Sequence, residues 1–232
     1  MYKRILLKVS GEALSGGATP IGFDKVNRVA ENIRCIHEKG IETGVVVGGG
    51  NIIRGRDAGN KDRSRMDHMG MLATAINALA LQDALERAGV PCKVLSAVDM
   101  NRFCEPFSSR AAKELLQNGY VVIFACGSGS PFFSTDTAAA LRALEIEADA
   151  LLLAKNVDAV YSADPKLFPD AVRYTHLTYE KVIADGLKAT DLTAITLCRE
   201  QSLPIVCFSL DKLPAAAAGE NPGTLIDGAE NG

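Results

Sequence analysis

The sequence predicts an α/β fold built on a parallel sheet, on three observations. Short apolar runs of strand length alternate with longer segments of helical period. Two of these runs end in loops of small residues, Gly48-Gly49-Gly50 and Gly127-Ser128-Gly129-Ser130, which places both loops on the sheet edge formed by the strands' carboxyl ends. The chain of 232 residues is long enough for one large domain with a substantial core, and a single domain over 1–232 is expected.

The first element, Arg4 to Val9, is a buried strand with Lys8 near its end, followed by Ser10-Gly11-Glu12. A lysine in an apolar strand is costly without an anionic partner, so Lys8 beside a glycine turn is a candidate for phosphate contact. From Asp24 to Lys39, Val26, Val29, Ile33 and Ile36 share one helical face, with Asp24 as candidate N-cap and Gly40 as the stop. The next strand, Gly44 to Val47, runs into Gly48-Gly49-Gly50 and then to Arg54. Three glycines remove every Cβ from the turn and bare its N–H groups, and the arginine adds charge, so the stretch reads as a socket for a polyanion. Neither G-x-G-x-x-G nor G-x-x-x-x-G-K-[ST] occurs, so this phosphate chemistry belongs to another nucleotide-binding class.

Residues Arg54 to Asp67 have no apolar period and read as a mobile loop, its Arg56, Lys61, Arg63 and Arg65 balanced largely by Asp57, Asp62 and Asp67. His68 to Ala88 is rich in Met, Ala and Leu and predicts a long helix, apolar on more than one face and ended by Gly89. Cys92 to Ala97 is a strand, Ser108 or Ser109 starts a helix to Asn118, and Tyr120 to Ala125 is a buried strand. In the loop that follows, Thr135 or Asp136 can cap a helix from Thr137 to Glu145. Ala150 to Ala154 is again a strand, leading into Lys155-Asn156 and on to Tyr161 and Asp164. The last third carries helices near Tyr179 to Asp185, Asp191 to Gln201 and Ala215 to Ala218, a strand Pro204 to Ser209, and a terminal strand Gly223 to Ile226.

A net charge of −3 and a pI near 5.7 give no general basic field, which argues against nucleic acid as a partner. Six cysteines lie far apart with no C-x-x-C pair, and read as reduced core residues rather than a zinc site or disulfide framework. No apolar run approaches the ~20 residues of a membrane span, so a cytoplasmic protein without membrane contact is expected.

Taken together, "LLKVSGEAL", "VVVGGGNIIRG", "MDHMGMLAT", "GSGSPFFSTDTAAALRALEIEAD", "VDAVYSADP" and "DLTAITLCRE" resemble, in one order over nearly the whole chain, the bacterial uridylate kinases of the amino-acid-kinase superfamily. The resemblance implies a three-layer α/β/α sandwich with a mostly parallel central sheet. It implies transfer of a phosphoryl group from ATP to UMP in pyrimidine nucleotide (CTP) synthesis, with Mg²⁺ and no protein metal site named, in a homohexamer. By the same resemblance Lys8, Val9, Ser10, Gly11, Gly50 and Arg54 fall on the ATP phosphate side, and Tyr161, Asp164 and either Lys155 or Asn156 on the adenosine side. Gly49, Asp67 and the loop Gly127, Ser128, Gly129, Ser130, Pro131, Phe132, Phe133, Ser134 fall where UMP is held, with Asp67 serving the ribose. Lys8 and Arg54 supply charge to the transfer, and Asp191 resembles a carboxylate that orients the lysine. UTP is the implied inhibitor. Gln82 and Glu86 stand where some members carry basic residues for the effector GTP, which predicts weak activation or none.

Two other readings share parts of this pattern. A superfamily member acting on carbamate, glutamate or aspartate would share the lysine strand and first glycine loop, but not "GSGSPFFSTD" or the Asp67 motif. A nucleotide storage or sensor protein on the same fold would have lost the charged transfer residues, whereas Lys8, Arg54 and Asp191 are all present.

Overall fold

The computed structural model describes residues 1–53 and 61–229. Eleven strands appear among them: β1 Arg4–Val9, β2 Glu42–Val47, β3 Cys92–Ser96, β4 Glu105–Pro106, β5 Val121–Ala125, β6 Ala150–Lys155, β7 Val160–Tyr161, β8 Arg173–Tyr174, β9 His176–Thr178, β10 Ile205–Ser209 and β11 Thr224–Asp227. The α-helices are α1 Phe23–His37, α2 Arg63–Arg87, α3 Ser109–Gln117, α4 Thr135–Glu145, α5 Tyr179–Ala184, α6 Leu192–Glu200 and α7 Leu213–Ala217. Nine strands form one sheet in the order β4-β3-β5-β2-β1-β6-β10-β11-β9, while β7 and β8 pair as a separate antiparallel ribbon. Within the sheet only the β10–β11 pairing is antiparallel.

Alternation along the strands divides the core into two layers. Ile5, Leu7, Val9, Val45 and Val47 pack with α1, α2 and α7, whereas Leu6, Val46, Leu151 and Leu153 pack with α3, α4, α5 and α6. The result is the three-layer α/β/α sandwich with a mostly parallel sheet. The same parity places Lys8, two residues after Leu6, and Lys155, two after Leu153, on the α4 side. Because β1 and β6 pair in parallel with Lys8 opposite Leu153, both lysines emerge near the same level of the sheet's carboxyl edge.

Several elements differ from the sequence reading, each for a local reason. Helix α2 begins at Arg63, within the stretch read as a mobile loop, because the Asp62 side chain accepts the Arg65 N–H at 2.9 Å and caps it. Its first turn is charged, which hides the apolar period there. Helix α1 has Gly22 rather than Asp24 at its N-cap. Helix α4 begins at Thr135 because Ser134 is its cap, its Oγ accepting the N–H groups of Asp136 and Thr137 at 3.0 Å each. Asp136 is thereby left free of capping. The two- and three-residue strands β4, β7, β8 and β9 are too short to show a period in sequence.

Glycines bring the two leading turns into backbone contact. A Cβ on Gly11 would lie 2.8 Å from Gly50 N and 2.9 Å from Gly48 O, and one on Gly49 would lie 2.8 Å from Gly70 O and 3.0 Å from Ala73 Cβ of α2. Gly49 is therefore needed for α2 to seat against the turn. Gly49→Ala is expected to cost about 1–3 kcal/mol through this overpacking, read as a lower urea midpoint with unchanged m-value.

Candidate active site

Three cavities adjoin along the carboxyl edge of the sheet. The first, about 510 Å³, is lined by both glycine turns, by Met66, Asp67, Gly70 and Thr74 of α2, and by Cys126 to Asp136 in part, with Asp191. The second, about 470 Å³, shares Asp136 with the first and adds Lys155 and residues 182 to 195 in part. The third, about 510 Å³, shares Gly186, Leu187 and Lys188 with the second and is lined by Tyr161, Asp164 and Phe168. Lys8, Asp136 and Lys155 stand where the first two cavities meet.

Asp136 holds these lysines. Its Oδ1 lies 2.6 Å from Lys8 Nζ, its Oδ2 lies 3.1 Å from Lys155 Nζ, and the Thr190 hydroxyl donates to Oδ2 at 2.9 Å. Burial alone would push the Asp136 carboxyl up, but the charges of Lys8 and Lys155 outweigh it and hold the carboxyl well below the usual carboxylate range. For Lys155, burial pulls the ammonium down, and the Asp136 charge more than reverses this, so it stays protonated. The first turn of α4 also favours the anion.

Among the described residues the carboxylate paired with Lys8 is that of Asp136, and Asp191 is bonded elsewhere. Its oxygens accept the Thr137 hydroxyl at 2.8 Å, the Ala194 N–H at 2.9 Å as N-cap of α6, and the Ser134 hydroxyl. Asp191 thus ties the start of α6 to the start of α4 while lining the first cavity. Read as a cap in sequence, Asp136 was missed as the lysine partner. The signal that could have found it is strand parity: two lysines on one face of adjacent strand ends require a carboxylate, and α4 begins above that face.

The other expected residues divide by position. Ser10, Gly11, Gly49 and Gly50 line the first cavity, and Ser10 Oγ is buried without a hydrogen-bond partner among the described residues. Val9 points into the opposite core layer, and only its backbone reaches the turn, its carbonyl accepting Gly48 N–H at 2.9 Å. Arg54 lies outside the described residues. Asn156 donates to Glu12 Oε2 at 2.9 Å, so of the pair left open in sequence it is Lys155 that joins the ion cluster. The Tyr161 hydroxyl donates to Asp158 at 2.8 Å, and Asp164 Oδ1 accepts the Lys166 N–H at 2.9 Å.

The loop after β5 is held at several points. Gly127, Ser128, Ser130, Phe133 and Ser134 line the first cavity, whereas Gly129, Pro131 and Phe132 do not. Cys126 (φ 63°), Gly127 (φ 59°), Gly129 (φ 82°) and Phe132 (φ 72°) are all left-handed, a conformation that the glycines adopt freely and that surrounding contacts must hold at Cys126 and Phe132. Asp67 accepts the Phe132 N–H at 2.8 Å and both its oxygens face Arg63 Nε at 2.9 and 3.0 Å, so in this structure the carboxylate secures the loop to α2. Buried Arg142 donates to Gly127 O at 3.1 Å and stacks 3.9 Å over the Phe107 ring. Neither Arg142 nor the buried Thr74 and Asn77 carried a signal in sequence. All six cysteines are free, and five are buried, with burial pushing the Cys207 thiol up to about 11 and the Cys198 thiol up to about 12.

Asp136→Asn leaves two buried ammonium groups without their counter-charge, a loss of about 3–5 kcal/mol in stability at neutral pH. Since the folded carboxyl is depressed, its contribution is fully present above the unfolded value of about 3.9 and is lost as pH falls through the lower folded value. Urea midpoints of wild type and variant should therefore differ by a constant amount above about pH 5, and converge in stronger acid.

A family model described as the amino acid kinase family matches residues 3–209, from before β1 to the end of β10. Among solved structures the chain is similar to the UMP kinase of Bacillus anthracis, with a TM-score of 0.95 and 36% identity over 99% of this chain and 97% of that one. It is also similar to the UMP kinase of Ureaplasma parvum, with a TM-score of 0.92 and 38% identity over 98% of this chain and 99% of that one. The uridylate kinase of Archaeoglobus fulgidus follows at 0.74 and 28% identity, over 96% and 99% of the two chains. Among the described residues no helix is long and apolar enough to cross a membrane. With its lysine strand, both glycine turns and all the parallel strands that carry the ion cluster inside the matched span, the chain belongs to the amino acid kinase family.

Proposed function

We propose that this chain is a UMP kinase, transferring the γ-phosphoryl group of ATP to UMP to give ADP and UDP. The observation that carries the reading is the continuity of the three cavities across Lys8, Asp136 and Lys155, with a loop-walled cavity on one side and the Tyr161–Asp164 cavity on the other. UMP occupies the first cavity and ATP enters from the second and third. A phosphate oxygen of UMP attacks the γ-phosphorus in line, the bond to the β-phosphate bridging oxygen breaks, and ADP leaves. Such a transfer needs positioning and charge around the phosphoryl oxygens and no covalent group from the protein. Lys8 and Lys155 supply the charge, and Asp136 keeps both ammonium groups aimed at the same point. The N-terminus of α4 and the bared amides of Gly48 to Gly50 face phosphate. Asp67 exchanges Arg63 or Phe132 N–H for ribose hydroxyls, and the loop to Ser134 surrounds uracil.

Mg²⁺ fits this site as a companion of ATP. Among the described residues Glu12, Asp67, Asp136 and Asp191 line the first cavity with Lys8, so a polyphosphate gains from bringing cations with it. Phosphate oxygens and water would be the ion's main ligands. Bound so, it would neutralise charge between the β- and γ-phosphates.

The remaining parts of the reading are a single domain, a cytoplasmic role in pyrimidine nucleotide synthesis, and a homohexamer. Supporting assembly, Met69, Leu72 and Ile76 form one stripe on α2 and are 50%, 56% and 49% exposed, a face that a second copy would cover. UTP, resembling the product, inhibits at the acceptor cavity. Weak or absent GTP activation is supported by Gln82 donating to Glu86 at 2.9 Å, and by Lys93 and Arg110 already paired with Glu105 and Glu114.

A coupled assay of ADP release with UMP, CMP, carbamate and glutamate tests the reaction. Turnover is expected with UMP, and equal rates with CMP would reject a uracil-specific site. In the same assay Lys8→Ala should lower kcat on the order of 10²-fold or more, with a smaller change in KM for UMP. Sedimentation at micromolar concentration should give an oligomer, and a stable monomer would remove the assembly part.

A further inference from the structure

Helix α2 presents one narrow stripe to the site. Asp67, Gly70, Thr74 and Asn77 recur at intervals of three and four, so they lie one above another on the helix. Each meets one of the two loops that wall the first cavity. Gly70 O seats against Gly49, and Asp67 holds Phe132 N–H. Thr74 and Asn77, 3% and 0% exposed, sit deeper.

Thr74 Oγ1 donates to Met71 O at 2.7 Å, a bond any mid-helix threonine can make, and accepts the Cys126 N–H at 2.8 Å. Cys126 is the left-handed residue at which the acceptor loop leaves β5. Asn77 Nδ2 donates to Gly48 O at 2.7 Å and to Asn51 Oδ1 at 2.7 Å, while Asn51 Nδ2 donates back to Asn77 Oδ1 at 3.1 Å and to Pro20 O at 2.8 Å. An asparagine buried in a Met, Ala and Leu helix costs free energy unless its amide is fully used, and an apolar residue would serve the core better. From one rigid helix, Thr74 thus holds the backbone of one loop, and Asn77 holds the Gly48 carbonyl and the Asn51 side chain of the other.

We propose that Thr74 and Asn77 are positioning residues, which fix the acceptor loop and the glycine turn at a set separation so that acceptor and donor phosphates meet at the lysine pair. This rests on the UMP kinase reading. Thr74 acts through Cys126 and so on the acceptor loop, whereas Asn77 acts through Gly48 and Asn51 on the turn nearest Lys8. Their losses should therefore differ in kind.

The test is steady-state kinetics of Thr74→Val, Thr74→Ser and Asn77→Ala, with amide hydrogen exchange of residues 126–134. Thr74→Val keeps the side chain's shape but leaves the Cys126 N–H buried and unpaired, so KM for UMP should rise on the order of 10-fold while KM for ATP stays within about twofold. Thr74→Ser should restore the wild-type value. Asn77→Ala should lower kcat on the order of 10-fold with KM for UMP nearly unchanged. A purely structural role would lower the urea midpoint and leave both constants of the folded enzyme as they were, which would overturn the proposal. If Asn77→Ala fails to fold, the threonine pair decides. A wild-type enzyme that releases no ADP with UMP overturns the substrate reading instead. Amide exchange then decides the positioning role, faster exchange across 126–134 in Thr74→Val supporting it and unchanged exchange overturning it.

Discussion

Two ammonium groups share one carboxylate at the carboxyl edge of the sheet, and the rest of the site is arranged so that they can. Lys8 and Lys155 sit at the ends of adjacent parallel strands, on the face covered by α4. A cation there is tolerable only with a counter-ion, and Asp136 supplies it from the first turn of α4, its Oδ2 also accepting the Thr190 hydroxyl. Such a cluster contributes little to stability compared with an apolar filling of the same space. What it provides is direction: two charges held at one point, on rigid elements, where the cavities meet.

Helix α2 makes the second organising demand. Its inner stripe touches both loops of the first cavity, its flanks fill the core with Ala75, Ala78, Leu81 and Leu85, and its outer stripe leaves Met69, Leu72 and Ile76 half exposed. One helix thus connects an apolar surface with the loops of the site. The glycines at 48 and 49 are explained by close contacts of this kind, because they allow Gly11 and α2 respectively to approach the turn backbone to backbone. Close packing and bare amides are compatible uses of the same residues.

The acceptor loop shows how strain is contained. Of the four left-handed residues between 126 and 132, the two that are not glycine, Cys126 and Phe132, are held through their N–H groups by Thr74 and Asp67, and Arg142 bonds Gly127 O between them. These contacts come from α2 and α4, on opposite sides of the sheet, so the loop's shape depends on both helical layers being in place.

By itself, the sequence determined the strand and helix alternation, the carboxyl-edge position of both glycine loops, Lys8 as a cation needing an anion, and the family resemblance. Each of these depends on residues near one another in the chain: apolar period, glycine content, or a motif of a few positions. Only the tertiary structure decided which carboxylate answers Lys8. In sequence Asp136 read as a candidate helix cap and Asp191, by resemblance, as the lysine's carboxylate, and neither a local capping signal nor a motif says which carboxylate the fold brings to Lys8. The choice follows from parity on β1 and β6 and from Ser134 taking the cap of α4, which frees Asp136 to turn toward the lysines. Thr74, Asn77 and Arg142 were silent in the sequence for the same reason. Each is one polar residue within a helix, and its purpose lies in a backbone group brought to it by another part of the fold, 52 residues away in the chain for Thr74 and Cys126.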